Sequence, residues 1–236
     1  IKKLRENGRQ VETRVLEEAC REHHRRFLTF HEKKRPYIIL KWAQSPDGFI
    51  APDRKLREPS PEPFWISGEA SRQHVHKWRS EESAILVGTR TALEDNPRLN
   101  TRLWAGRSPL RVLIDRKLRI PDHFHLLDGS QDTLVFHDRL TSPKKREKVH
   151  YKSLHSDSDI LEQILQSLLE EQVLSVLVEG GARTLRTFID AGMWDDARSI
   201  EGPRILGAGL PAPDLTGTLV EDWELENDWI QILRND

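Results

Sequence analysis

Apolar positions along the chain follow two rhythms, and the change between them comes at Pro36. Upstream, Leu16, Ala19, Cys20, His23, Phe27 and Phe30 recur at three and four, which predicts one helix with an apolar stripe and a charged remainder. Arg35-Pro36 closes it, because the residue before a proline resists the α region. A stripe of this kind must pack on something: the main body, another copy, or a further domain. Downstream, short β-branched runs alternate with helical stretches. Residues 37–42, 84–87, 110–114, 133–136 and 173–178 read as strands, and Asp47-Gly48 as a tight turn into Phe49-Ile50-Ala51. Residues 67–79 read as a helix capped by Ser67, with Ala70, Val75 and Trp78 inward; 91–95 and 160–169 are further helices. Residues 223–225 and 229–233 predict a closing antiparallel pair, and 54–63 and 143–148 are polar loops. Strands separated by helices predict an α/β fold with a mostly parallel sheet covered on both faces.

Composition narrows the function classes. The 236 residues suit one α/β domain with an appendage, and no internal repeat is visible. With 37 basic and 38 acidic residues, no global field points to nucleic acid or a membrane surface. The lone Cys20 excludes an internal disulfide framework and fits a reducing compartment. No apolar run is long enough to span a bilayer, and the basic start is not signal-like. The expectation is a cytoplasmic protein without nucleic-acid or membrane partners.

Chemistry concentrates where strands give way to helices. In Val178-Glu179-Gly180-Gly181-Ala182, a buried strand ends in a carboxylate and a glycine pair, and a helical pattern follows. Such a junction offers backbone N–H groups and a positive dipole end to a phosphate. The glycines would let a ligand approach the backbone closely, although an ordinary strand-to-helix turn reads the same way. Val87-Gly88-Thr89-Arg90-Thr91 forms a second junction. Thr91 and Glu94 have capping-box spacing there, and Arg90 could add a fork of donors for a phosphate. Neither junction carries G-x-G-x-x-G, which disfavours a Rossmann domain.

Other candidates each have a plainer reading. Lys41, inside an apolar strand, is a functional amine or an edge residue snorkelling to water. Trp65 stacks on a planar ring or caps the core. Arg79 binds a phosphate or satisfies last-turn carbonyls. Asp115, with Arg116 and Lys117 after it, flanks a 2′-phosphate or makes a charged turn. The ten histidines are scattered, with His74 and His76 on different faces of a helix, so no metal is expected. No nucleophile elbow, P-loop or zinc-deaminase signature appears, which leaves a site whose cofactor does the chemistry.

Lys41-Trp42-Ala43-Gln44-Ser45-Pro46-Asp47-Gly48, Trp65-Ile66-Ser67, Val87-Gly88-Thr89-Arg90-Thr91 with Asp95-Asn96-Pro97, Val178-Glu179-Gly180-Gly181 and Pro203-Arg204-Ile205-Leu206-Gly207 follow one another along the chain. In this order they resemble the reductase domain of the bifunctional riboflavin-biosynthesis deaminase/reductase, over residues 36–236. Residues 1–35 resemble the tail of the preceding deaminase domain and its linker helix; its zinc motif is missing, so a fragment or truncated chain is expected. Pro46 replaces the leucine usual before Asp-Gly, and Pro63 stands where a small hydroxyl residue is common.

The resemblance implies a dihydrofolate-reductase-like three-layer α/β/α fold with a C-terminal antiparallel strand pair. It also implies NADPH as hydride donor and 5-amino-6-(5-phosphoribosylamino)uracil as a phosphorylated pyrimidine substrate, reduced at ribose C1′. Position by position, it assigns Ala43, Trp65, Gly88, Thr91, Asp95, Arg116, Gly181, Ala182, Arg183, Thr184, Leu185, Arg186 and Thr187 to the cofactor. Lys41, Pro63, Arg79, Leu99, Arg102 and Glu179 fall to the substrate, with Arg79 and Arg102 on its phosphate and Lys41 or Glu179 assisting the chemistry. A homodimer or larger homo-oligomer is implied. The alternatives are a reductase of the same fold acting on another pyrimidine or pterin, and a non-catalytic scaffold.

Overall fold

A computed structural model of the chain describes residues 1–53, 55 and 60–235. Among the described residues, the body is a nine-stranded sheet in which seven consecutive strands, out to one edge, run parallel. In chain order the elements are α1 (Lys2–Glu6), α2 (Glu17–His23), α3 (Arg25–Glu32), β1 (Tyr37–Gln44), β2 (Phe49–Pro52), α4 (Glu69–Glu81), β3 (Ala84–Gly88) and α5 (Thr89–Asp95). There follow β4 (Leu110–Ile114), β5 (Thr133–Asp138), β6 (Val149–Leu154), α6 (Ile160–Glu170), β7 (Ser175–Val178), α7 (Ala182–Asp190), β8 (Asp196–Glu201), β9 (Gly209–Pro211), β10 (Thr218–Leu225) and β11 (Asp228–Arg234). The sheet order is β10-β11-β8-β1-β7-β3-β4-β5-β6, and β2 pairs with β9 as a separate ribbon. The last two strands are antiparallel, as their alternation predicts.

Period-two alternation sorts the strand side chains into two cores. Ile38, Leu40, Trp42, Val176 and Val178 pack with α6 and α7 on one face; Tyr37, Ile39, Leu177, Ile85 and Val87 pack with α4 and α5 on the other. The three layers follow directly from this split. Among the described residues, no helix is long and apolar enough to cross a membrane.

Several local expectations give way to tertiary context. The N-terminal stripe is broken at His24 into α2 and α3, with Leu16 at a positive φ. Phe30 and Thr29 of α3 are buried, while Leu16 and Phe27 stay exposed. The charged side of this segment docks it: Arg26 pairs with buried Glu82, Arg25 with Asp196 at 3.2 Å, and Arg35 with Asp195 at 2.9 Å. Ser67 does not cap α4. Gly68 holds the N-cap position, and its N–H donates to the carboxylate of buried Asp228, from β11, at 2.7 Å. Ala70 is only half-buried, and Ser71 takes the inward place. Within the expected polar loop at 54–63, residue 54 and residues 56–59 lie outside the described residues. Strands β6 and β8 were not legible in the sequence, whereas 143–148 is a surface loop whose Lys144 and Arg146 pair with Asp122.

Candidate active site

The register that sets Leu40 beside Val178 carries Lys41 and Glu179 to the same edge of neighbouring strands, on the face covered by α4. Since β1 lies between β8 and β7, Lys41 is a half-buried interior residue and not an edge one. Arg79, on the last turn of α4, does not serve the helix carbonyls. Its Nε and Nη2 donate to the two Glu179 oxygens at 2.8 and 2.7 Å, a bidentate pair in which both side chains are about nine-tenths covered. Burial alone would raise the Glu179 carboxyl, but Arg79 and Lys41 outweigh it and hold it at about 2. Burial pulls the Lys41 ammonium below its ordinary range; Glu179 opposes this and Arg79 adds to it.

These three line a cleft of about 470 Å³. Pro63, Leu99 and Arg102 line it too, so all six residues assigned to the substrate meet in one place, joined by Trp65 and Asp95 from the cofactor set. Cations exceed carboxylates in the walls: Lys41, Arg72, Arg79, Arg98 and Arg102 face Glu62, Asp95 and Glu179. Trp65 is half exposed at the rim and does not cap the core; Arg72 lies 4.9 Å over its ring. The far wall is the 96–102 loop, in which Asn96 and buried Leu99 both take positive φ. Two non-glycine residues in that region mark a backbone held by its surroundings. Sequence reasoning passed over several occupants, among them His76 of α4, which is 3% exposed, lines the cleft, and accepts the Arg102 N–H on Nδ1 at 3.2 Å. Burial, then Arg79 and Arg102, hold its imidazole down at about 4.

Beside the cleft, the two glycine bends close neighbouring strands, because β7 lies next to β3. Gly181 N–H donates to Thr91 Oγ1 at 2.8 Å, tying one bend to the other. This replaces the expected capping box: α5 begins at Thr89 with Gly88 at its N-cap position, and Glu94 pairs with Arg90 at 2.9 Å instead. That i,i+4 pair leaves Arg90 largely exposed on the surface of α5. Close packing, more than ligand approach, explains two of the glycines. A Cβ on Gly88 would lie 2.5 Å from Thr184 Oγ1, and one on Gly180 would lie 2.6 Å from Thr184 Cβ.

The N-terminus of α7 has no side-chain cap and no acid in its first turn, so its amides and dipole end suit an anion. Gly181, Ala182, Arg183 and Thr184 form that end. Leu185 is wholly in the core, and Arg186 and Thr187 lie exposed further along. Ala43 follows Lys41 on β1, on the α4 face. Arg116, past the end of β4, is held through Nε by Asp138 at 2.6 Å. Asp115 is buried and structural: its oxygens accept the Ile120 N–H at 2.9 Å and the Thr89 hydroxyl at 3.2 Å.

The sequence pattern that defines the RibD C-terminal domain matches residues 36–231. The chain belongs to that family. Riboflavin biosynthesis protein RibD of Aquifex aeolicus is 33% identical over 226 residues, which are 94% of this chain and 62% of that protein. The 2,5-diamino-6-ribosylamino-4(3H)-pyrimidinone 5′-phosphate reductase of Methanothermobacter thermautotrophicus is 31% identical over 180 residues, 73% of this chain and 80% of that one. Among solved structures, the diaminohydroxyphosphoribosylaminopyrimidine deaminase/5-amino-6-(5-phosphoribosylamino)uracil reductase of Thermotoga maritima superposes with a TM-score of 0.83 at 31% identity, covering 100% of this chain and 66% of that one. The likeness to the Thermotoga structure covers the whole chain, which spans about three-fifths of the Aquifex relative.

Proposed function

We propose that the chain is a reductase of riboflavin biosynthesis that reduces 5-amino-6-(5-phosphoribosylamino)uracil at ribose C1′, with NADPH as donor. The observation that carries this reading is the cleft in which Lys41, Arg79, Glu179, Leu99 and Arg102 converge beside the uncapped start of α7. A reduced nicotinamide supplies the hydride when bound. The α7 amides, with Gly181 and Thr91 beside them, suit its diphosphate, and Arg116 with Lys117 suits the extra phosphate of NADPH. Trp65 offers an exposed ring at the rim on which a flat group can stack.

Toward the substrate, Arg102 offers an exposed guanidinium at the cleft mouth, beside Arg98, and the pair suits a ribose 5-phosphate. Arg79 spends two of its donors on Glu179 and a third on the Asn100 carbonyl at 3.3 Å, so it steers the carboxylate and the loop together. Lys41 Nζ, with its proton loosened by burial, is the group best suited to assist opening of the ribosylamine; Glu179 holds it in line. The protein's main work is to hold the two reacting carbons together. Residues 1–35 are read as the tail of a deaminase domain, and the assembly as a homodimer or larger.

Steady-state kinetics tests the assignment. Lys41→Met is expected to lower kcat by about 100-fold or more. Arg102→Ala is expected to raise KM about tenfold with kcat little changed. Intact turnover of Lys41→Met at saturating substrate removes Lys41 from the chemistry. A pure kcat effect for Arg102→Ala removes it from the phosphate.

A further inference from the structure

We propose that His76 is a positioning residue for Arg102, holding the backbone of the phosphate-binding arginine through a hydrogen bond that only a neutral ring can accept. The proposal rests on the reading of Arg102 given above. His76 and Arg79 stand three apart on α4 and face the same loop. Arg79 reaches the Asn100 carbonyl, and His76 Nδ1 takes the Arg102 N–H at 3.2 Å. A ring that accepts on Nδ1 carries its proton on Nε2, and an imidazolium has no lone pair left for this bond.

The loop needs such restraint. Leu99, three residues before Arg102, is buried at φ 53°, and Asn96 sits at φ 40°. Both cost conformational energy that neighbouring contacts must offset. Thr101 N–H is held by Ser108 Oγ at 3.0 Å, and Asn96 Oδ1 accepts the His125 N–H at 2.9 Å. Among the described residues, His76 is the side chain bonded to the backbone of Arg102 itself, while the Arg102 guanidinium is exposed, with Nη1 on Asn100 Oδ1 at 3.2 Å. A buried histidine that merely filled space would have no reason to present its lone pair to the one residue whose side chain leaves for the ligand.

The test compares His76→Leu, His76→Asn and Arg102→Ala, each assayed with the phosphorylated substrate and with its dephosphorylated counterpart, alongside thermal melts. His76→Leu is expected to raise KM for the phosphorylated substrate about tenfold, to leave kcat within about twofold, and not to move KM for the dephosphorylated one. His76→Asn, whose Oδ1 stands near the place of Nδ1, is expected to recover most of the loss, and His76→Leu is expected to add little on top of Arg102→Ala. Equal KM rises on both substrates, equal failure of the Leu and Asn variants, or an unchanged His76→Leu would each overturn the proposal. If Arg102→Ala raises KM and His76→Leu does not, the His76 proposal falls alone. If Arg102→Ala has no effect, the phosphate reading falls and takes this one with it. Should His76→Leu fail to melt cooperatively, the comparison of His76→Asn with the unmodified protein decides on the same substrate contrast.

Discussion

Glu179 is a carboxylate taken out of water and kept charged by two cations, so its state and the fold's stability are linked. Its folded pKa of about 2 lies below its ordinary 4.5. The stabilisation is therefore complete above 4.5 and is lost as pH falls from there towards 2, where the unfolded chain takes up a proton that the folded chain refuses. His76, held at about 4 against an ordinary 6.5, adds a loss of the same sign as pH falls from 6.5 to 4. Melting temperature measured across this range should fall in two stages. Glu179→Gln should lower stability at neutral pH by a few kcal/mol, since it leaves Arg79 and Lys41 without a counter-charge, and should flatten the lower stage. An unchanged acid limb would contradict the assignment. At this scale the sequence is legible where a charge interrupts an apolar run, as at Lys41 and Glu179. His76 was not, because a helical period cannot say which polar side faces a cleft that other elements build.

Among elements, the informative contact is the seating of α7 against β3 and β7. Thr184 fills the space that side chains at Gly88 and Gly180 would take, and the Thr91–Gly181 bond closes the seam. Gly88→Ala is expected to cost about 1–3 kcal/mol through overpacking, and Thr184→Ala in the same chain should recover most of it, because the clashing oxygen is gone. Urea unfolding of the two single variants and the double one measures this; purely additive losses would contradict the contact. Five of the seven parallel strands, α6 and the closing hairpin could be read from periodicity. Strand β8, Asp-Ala-Arg-Ser-Ile-Glu, could not, because its buried Asp196 and Arg198 pair with the charges of Arg25 and Glu82 instead of forming an apolar stripe. Edge strand β6 is buried mainly at its ends and leaves equally little pattern. The starts of α4 and α5 escape the sequence for a related reason: Gly68 donates to Asp228, and Thr91 accepts from Gly181, both from distant parts of the chain.

Over the whole molecule, strand order makes the site. Inserting β7 between β1 and β3 brings Lys41, Glu179 and Gly88 from three remote segments to the centre of one sheet. Crevices beyond the carboxyl ends of parallel strands are where α/β folds bind ligands. Neither periodicity nor spacing reports that order. Buried Asp195 and Asp196 at the start of β8, and buried Glu82 just after α4, receive Arg35, Arg25 and Arg26, so the N-terminal segment is joined to the body by ion pairs. On the proposed function, this one crevice holds a nicotinamide and a phosphoribosylamino-pyrimidine face to face. The most direct measurement supplies the enzyme with 5-amino-6-(5-phosphoribosylamino)uracil and NADPH deuterated at nicotinamide C4, in each stereochemical form, and locates the label in the product. Deuterium at ribityl C1′ from one of the two forms, in step with NADPH consumed, is the predicted result. Product without label from either form, or no oxidation of NADPH when the pyrimidine is added, would contradict it.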